Sequence, residues 1–245
     1  MVEIKNLSKK YKNNNYFSLK NANFTCNAGE IVGIVGGNGA GKSTLLKCLV
    51  GLLDFSEGEI LINGYNIKTQ NYDAKKQFGY ISDDHSVFEN MTGYEYVNFM
   101  ADIFEVPADV RQKRLEALEQ TFKLGNNINS LISSYSFGMK QKICIMGVLI
   151  YQPNVWILDE PFTGLDASTT YEVEQLMLDY INHKKTVIFS SHDLHIVEKI
   201  CDRIYIINKG EIVEECEVKN FAQTHKGKSL EQYFIENIAK NEQNN

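Results

Sequence analysis

No two cysteines in this chain are spaced as C-x-x-C, no apolar run is long enough to span a bilayer, and basic residues do not outnumber acidic ones. Each absence removes a class of function. The five cysteines (Cys26, Cys48, Cys144, Cys201 and Cys216) are scattered through 245 residues, so neither a zinc site nor a disulfide framework can be read and reduced core thiols are expected. The longest apolar stretch, Ile143–Tyr151, falls far short of the ~20 residues a membrane-spanning helix needs. Lys5, Lys9 and Lys10 interrupt the start before any apolar run develops, so no signal peptide is expected. The expectation is a cytoplasmic chain, with any membrane work done by a different polypeptide. A formal net charge of −6 and a pI of about 5.5 argue against a nucleic-acid partner, which calls for a basic surplus. No internal repeat is visible, and only residues 241–245 read as low-complexity tail.

What is present is a rhythm of short apolar runs rich in β-branched residues: Ile31–Val35, Phe78–Ile81, Val155–Leu158, Thr186–Phe189 and Ile204–Ile207. Such runs suit strands buried on both faces, the pattern of a parallel sheet covered by helices. Helical patterns lie between them, including Val173, Leu176, Met177, Tyr180 and Ile181 after the capping candidates Asp166 and Ser168. The expected fold is α/β with a mostly parallel sheet. Residues 1–30 and 57–68 carry Gly58 and Asn63-Gly64 turn signals and read as a small antiparallel sheet. Residues about 88–150 are helical in pattern, with Leu115, Leu118 and Phe122 in one stripe, and should form an inserted lobe. Within it Tyr94, Tyr96, Phe99 and Phe104 suit either lobe core or a docking surface. The expected division is one domain over 1–220, with an antiparallel lobe within 1–68, followed by a short helix and tail over 221–245.

Gly36-Gly37-Asn38-Gly39-Ala40-Gly41-Lys42-Ser43-Thr44 follows the run Ile31–Val35 and precedes the helical pattern Leu45–Val50. It satisfies G-x-x-x-x-G-K-[ST] in the strand–loop–helix context the motif demands. Its glycines let successive backbone N–H groups face inward, and the helix adds the positive end of its dipole. Lys42 can reach the β- and γ-phosphates of a nucleoside triphosphate and the Ser43 hydroxyl can ligate Mg²⁺. The run Val155–Leu158 ends in Asp159-Glu160, at the carboxyl end of a strand where open α/β sheets hold ligands. Asp159 would hold Mg²⁺ directly or through water, and Glu160 would orient or deprotonate the attacking water. Thr186–Phe189 leads into Ser190-Ser191-His192-Asp193, whose histidine is either structural or close to the γ-phosphate.

With these segments in this order the chain resembles the ATP-binding cassette (ABC) family, over nearly its whole length, and its core resembles a P-loop NTPase. Tyr135-Ser136-Phe137-Gly138-Met139-Lys140-Gln141 resembles the family's signature segment. The resemblance implies two cassettes facing head to tail, with Ser136, Gly138 and Met139 of one covering the ATP held by Lys42 of the other. Taken alone, Ser136 would be an ordinary helix N-cap. The resemblance further implies that Tyr11 stacks on adenine, that Gly164-Leu165-Asp166 senses the opposite site, and that His192 is the switch histidine. Two positions depart from the family. Asp83 (or Asp84, one residue on) stands where glutamine is usual, and a carboxylate there serves Mg²⁺ more strongly than an amide. Phe137 stands where the signature has glycine.

The implied function is an ATPase subunit driving a transmembrane permease from the inner face of the cell membrane, paired with an identical or paralogous cassette. The form of the signature resembles exporters of drugs, peptides and similar cargo more than sugar importers. A soluble scaffold ATPase, as in iron–sulfur cluster assembly, is the alternative. A nucleic-acid machine is disfavoured: neither coiled-coil heptads nor cysteine pairs separate the two motifs.

Overall fold

A computed structural model describes residues 1–12, 15–84 and 88–236. Five parallel strands form the central layer: β3 (Ile31–Val35), β6 (Phe78–Ile81), β7 (Val155–Leu158), β8 (Thr186–Ser191) and β9 (Arg203–Asn208). With β10 (Glu211–Glu217) antiparallel at one edge, the sheet order is β10-β9-β3-β8-β7-β6. The α/β, mostly parallel fold expected from the sequence is therefore the fold observed.

Why these strands are apolar throughout follows from what covers them. Side chains alternate between faces along a strand. On one face Ile31, Val35, Trp156, Leu158, Val187, Phe189, Ile204 and Ile206 join a core with the helical lobe and the later helices. On the other Val32, Ile34, Val155, Ile157, Ile188, Tyr205 and Ile207 join a second core. That second core is closed by α1 (Lys42–Leu49) and by an antiparallel sheet of order β2-β1-β4-β5. Its strands are β1 (Val2–Lys9), β2 (Leu19–Cys26), β4 (Glu57–Ile62) and β5 (Tyr65–Asn66). The short α2 (Asn71–Lys75) returns the chain to β6.

The inserted lobe holds α3 (Gly93–Ile103), α4 (Ala108–Phe122) and α5 (Phe137–Leu149). Thr92 starts α3 with a capping box: its hydroxyl accepts the Glu95 N–H while the Glu95 carboxylate accepts the Thr92 N–H. Leu115, Leu118 and Phe122 are buried, as their stripe requires. The four aromatics divide. Tyr96 is core, Phe104 stacks on Tyr151 with ring centroids 3.6 Å apart, Phe99 packs on Phe88, and Tyr94 stays exposed.

After the lobe come α6 (Ala167–Asn182) and α7 (Leu194–Ile200). Beyond β10, the single terminal helix expected is two: α8 (Phe221–Thr224) and α9 (Leu230–Phe234). Gly227, at φ +79°, breaks the run, and a Ser229–Gln232 capping box restarts it. Phe221 and Leu230 are buried in the same core as Val197 and Ile206, so this segment packs onto the domain instead of trailing from it. The tail expected at 241–245 lies outside the described residues. Cys26, Cys48, Cys144 and Cys201 are buried free thiols and Cys216 is half-buried. Among the described residues no helix is long and apolar enough to cross a membrane.

Candidate active site

Strand order places the chemistry. β3 lies between β8 and β9, and β7 lies between β8 and β6, so the segments leaving β3, β7 and β8 emerge side by side at one end of the sheet. The loop after β3 ends in Gly41, the cap of α1, at φ +117°. A Cβ there would stand 3.0 Å from the Ser18 carbonyl oxygen and 3.1 Å from Ile207 Cδ1, so both conformation and close approach require glycine. No side chain caps α1, and its first N–H groups are left for an anion.

Lys42 is 6 % exposed. Its ammonium donates to the carbonyls of Gly36 (2.8 Å) and Gly37 (3.3 Å) and pairs with Glu160 Oε1 at 3.2 Å. The cation thus rests on its own loop and on the carboxylate expected to handle water. The other Glu160 oxygen, Oε2, lies 2.8 Å from His192 Nδ1. An ionised carboxylate only accepts hydrogen bonds, so this contact puts a proton on Nδ1.

Asp159 is fully buried. Its Oδ1 accepts from the Ser190 hydroxyl at 2.6 Å and the Ser43 hydroxyl at 3.1 Å. Oδ2 is buried with no hydrogen-bond partner among the described residues. Burial pushes the Asp159 carboxyl above the usual aspartate value, against the opposing pull of Ser190 and Ser43. An orphaned, desolvated carboxylate oxygen beside a hydroxyl is the donor set a hard divalent cation prefers. Ser43 and Asp159 therefore fit Mg²⁺.

Ser190 was not singled out by the sequence. Besides its bond to Asp159 it accepts the Glu160 N–H at 2.9 Å, and so ties together the two acidic residues. Glu160 itself sits at φ +49°, a left-handed conformation that costs a non-glycine residue about 1 kcal/mol or more. The signal that would have found Ser190 is register: Leu158 pairs with Phe189, so the residues one further along, Asp159 just past β7 and Ser190 still within β8, lie side by side.

A cavity of about 640 Å³ opens over this ensemble. Asn38, Gly39, Gly41, Lys42, Ser43 and Thr44 line it, with Asp83 and Glu160. Gly36 and Ala40 shape the loop from behind, the first by accepting from Lys42 and the second as a buried residue. Of the two acids after β6, Asp83 reaches the cavity, its Oδ1 3.9 Å from Lys47 Nζ, while Asp84 does not line it.

Tyr11, expected beside the base, is not part of the wall. Tyr16 and Phe17 are. The physical reason is the approach noted at Gly41: the segment entering β2, around Ser18, meets the phosphate loop, and Lys20 N–H donates to Gly210 O beside it. Tyr11 instead lies under the Lys9 ammonium, 5.0 Å from the ring centroid.

Four further expected residues stand away from the cavity. Ser136 is the N-cap of α5, accepting the Met139 N–H at 3.3 Å, and neither it, Gly138 nor Met139 lines the cavity. Asp166 caps α6: its carboxylate accepts the Thr169 N–H and hydroxyl at 2.9 and 3.1 Å, which holds the carboxyl below the usual aspartate range. Its contacts within this chain are those of a helix N-cap. A second cavity, about 680 Å³, also reaches Glu160 and is lined by His192, Gly164 and Leu165.

Residues 19–163 match the ABC transporter family. An uncharacterized ABC transporter ATP-binding protein from Nostoc is 37 % identical over 83 % of the chain, which spans 61 % of that relative's length. The methionine import ATP-binding protein MetN of Clostridium acetobutylicum is 33 % identical, over 90 % of this chain and 70 % of its own. Among solved structures, an ATP-binding subunit of an ABC transporter superposes with a TM-score of 0.91 at 29 % identity, covering 96 % of this chain and 98 % of that one. A dimeric ATP-binding cassette in a post-hydrolysis state with ADP and Pi superposes with a TM-score of 0.81 at 26 % identity, covering 89 % and 99 %.

Proposed function

The chain belongs to the ABC transporter family as an ATP-binding, ATP-hydrolysing protein, and from that premise we propose that it drives a separate transmembrane permease as one of two cassettes closing face to face on ATP. The observation that carries this reading is the convergence of Lys42, Ser43 and Glu160 on one cavity, with Asp159 buried behind Ser43 and accepting from its hydroxyl. The chain has the fold of a cassette solved as a dimer, and its own signature residues lie outside its own cavity. A second copy or a paralogue would supply them.

ATP enters with its phosphates on the free N–H groups of α1 and of the loop. Lys42 then exchanges the Gly36 and Gly37 carbonyls and Glu160 Oε1 for phosphate oxygens. Glu160, freed at Oε1 and held at Oε2 by His192, orients or deprotonates the water. Ser43 and Asp159 are the residues that would hold Mg²⁺, with Asp83 within reach of the same cavity. That ion, when bound, neutralises charge on the transferred phosphoryl group. From the partner subunit, the N-terminus of α5, with Ser136, Gly138 and Met139, closes the site on the phosphate side.

The direction we favour is export of a drug, peptide or similar cargo, on the form of the Ser136–Gln141 segment. The likeness to MetN supports import as the second reading. Either role puts the chain on the inner face of the cell membrane, bound to its permease. The experiment is affinity purification of the tagged chain from detergent-solubilised native membranes. A stoichiometric multi-span protein supports the transporter reading. Recovery only with soluble partners supports a scaffold ATPase instead.

A further inference from the structure

The residue at which the signature departs from the family, Phe137, does not point idly into solvent. A Cβ built on Gly164 would stand 2.9 Å from Phe137 Cε1 and 3.0 Å from Cδ1, so the ring lies directly against the Gly164 backbone. Gly164 belongs to the turn that follows Glu160 and sits at φ +73°. One helical turn along α5, Gln141 is 1 % exposed and its Nε2 donates to the Pro161 carbonyl at 3.1 Å. Residues i and i+4 share a helix face, so one face of α5 touches the turn at both ends. The turn is short and internally bonded: Thr163 N–H donates to Glu160 O and Leu165 N–H to Phe162 O, each at 3.3 Å. Displacing Gly164 therefore displaces the backbone of Glu160 within four residues.

We propose that Phe137 is a positioning residue for ATP hydrolysis: with Gln141 it clamps the Pro161–Gly164 turn and so fixes Glu160 in register with the signature segment of the same chain. The ring is 46 % exposed, so the fold does not depend on it as a core residue. The chain already strains Glu160 into a left-handed conformation, and such conformations persist only where surrounding contacts over-determine them. Under the face-to-face reading, Phe137 further links the segment serving the partner's ATP to the carboxylate serving its own. That extension rests on the proposed pairing. The positioning role rests on hydrolysis alone.

The test uses the full chain with Phe137→Ala, Phe137→Tyr, Gln141→Ala and the double variant Phe137→Ala/Gln141→Ala, reading steady-state turnover against ATP concentration, equilibrium nucleotide binding and Tm. Phe137→Ala lowers kcat roughly tenfold, the scale of removing one coupling contact, while nucleotide Kd shifts by less than about twofold because the cavity is untouched. Phe137→Tyr, which keeps the ring, restores most of the rate. The double variant loses less than the product of the single losses, because both side chains hold one turn. Wild-type kcat in Phe137→Ala, a loss matched by the unfolded fraction, or no rescue by tyrosine overturns the proposal. Absence of ATP-dependent pairing in the wild-type chain would remove only the link to the partner and leave the kcat comparison to decide the positioning role.

Discussion

Lys42 Nζ and Glu160 Oε1 lie 3.2 Å apart, so the cation meant for phosphate and the carboxylate meant for water pair with each other. Binding a triphosphate has to break that pair, which ties nucleotide affinity to the charge at Glu160.

Glu160→Gln therefore does two separable things. Turnover falls on the order of a thousandfold, the weight of a general base or water-orienting group. Equilibrium affinity for nucleotide rises about two- to fivefold, the size of a partly screened ion pair released from competition. Rapid-mix turnover and calorimetric titration with ADP read the two effects. Near-normal turnover in the variant would contradict the assignment of Glu160.

Lys42→Ala acts in the opposite sense on binding. It removes charge-assisted bonds to phosphate worth about 1.5–3 kcal/mol, or roughly 10- to 150-fold in Kd. The same titration checks this. An unchanged Kd would argue that the loop is not where the phosphates sit.

Ser190→Ala strips a hydroxyl that donates to Asp159 and accepts from Glu160. The Glu160 N–H loses its partner and Asp159 Oδ1 one of its two donors, at a cost of about 2 kcal/mol or roughly 4–8 °C in Tm. Thermal unfolding without nucleotide measures it. A Tm equal to wild type would show that water or another group satisfies both.

Asp159→Asn tests the burial of charge. Because burial raises the Asp159 pKa, the fold prefers the protonated form. Stability is therefore lost as pH rises from the usual aspartate value of 3.8 through the raised one. The asparagine variant escapes that loss, since its Oδ1 still accepts from Ser43 and Ser190. Without nucleotide or metal its Tm at neutral pH exceeds that of the wild type, and the gap narrows as pH falls through the window. Its metal-dependent turnover is lost. A lower Tm across the whole pH range would show that burial of the Asp159 charge does not cost stability.

How much of this was legible in the sequence depended on locality. The phosphate loop is contiguous, so Gly36–Thr44 announced its chemistry before any fold was known, and apolar runs ending in Asp159-Glu160 and in Ser190-Ser191-His192 marked two strand ends at the sheet's carboxyl side. What stayed hidden was set by which strands are neighbours. That Ser190 bridges Asp159 and Glu160 follows from β7 lying beside β8, a pairing of segments thirty residues apart that periodicity does not reveal. The displacement of Tyr11 by Tyr16 and Phe17 at the cavity has the same origin, since the approach of the Ser18 carbonyl to Gly41 joins two segments with no shared motif. At Asp166 a loop motif and a helix cap place the same residue type at the same point, so the sequence alone does not separate the two roles.

If two chains complete the site with each other's signature residues, the mass of Glu160→Gln in solution depends on which nucleotide is bound. Size-exclusion chromatography with light scattering, in ATP and magnesium and then in ADP, gives the answer. The expected result is a dimer of twice 27.9 kDa with ATP and a monomer with ADP, and loss of the dimer when Ser136 is also changed to a bulky residue such as phenylalanine. A monomer under both nucleotides, with ATP demonstrably bound, would contradict it.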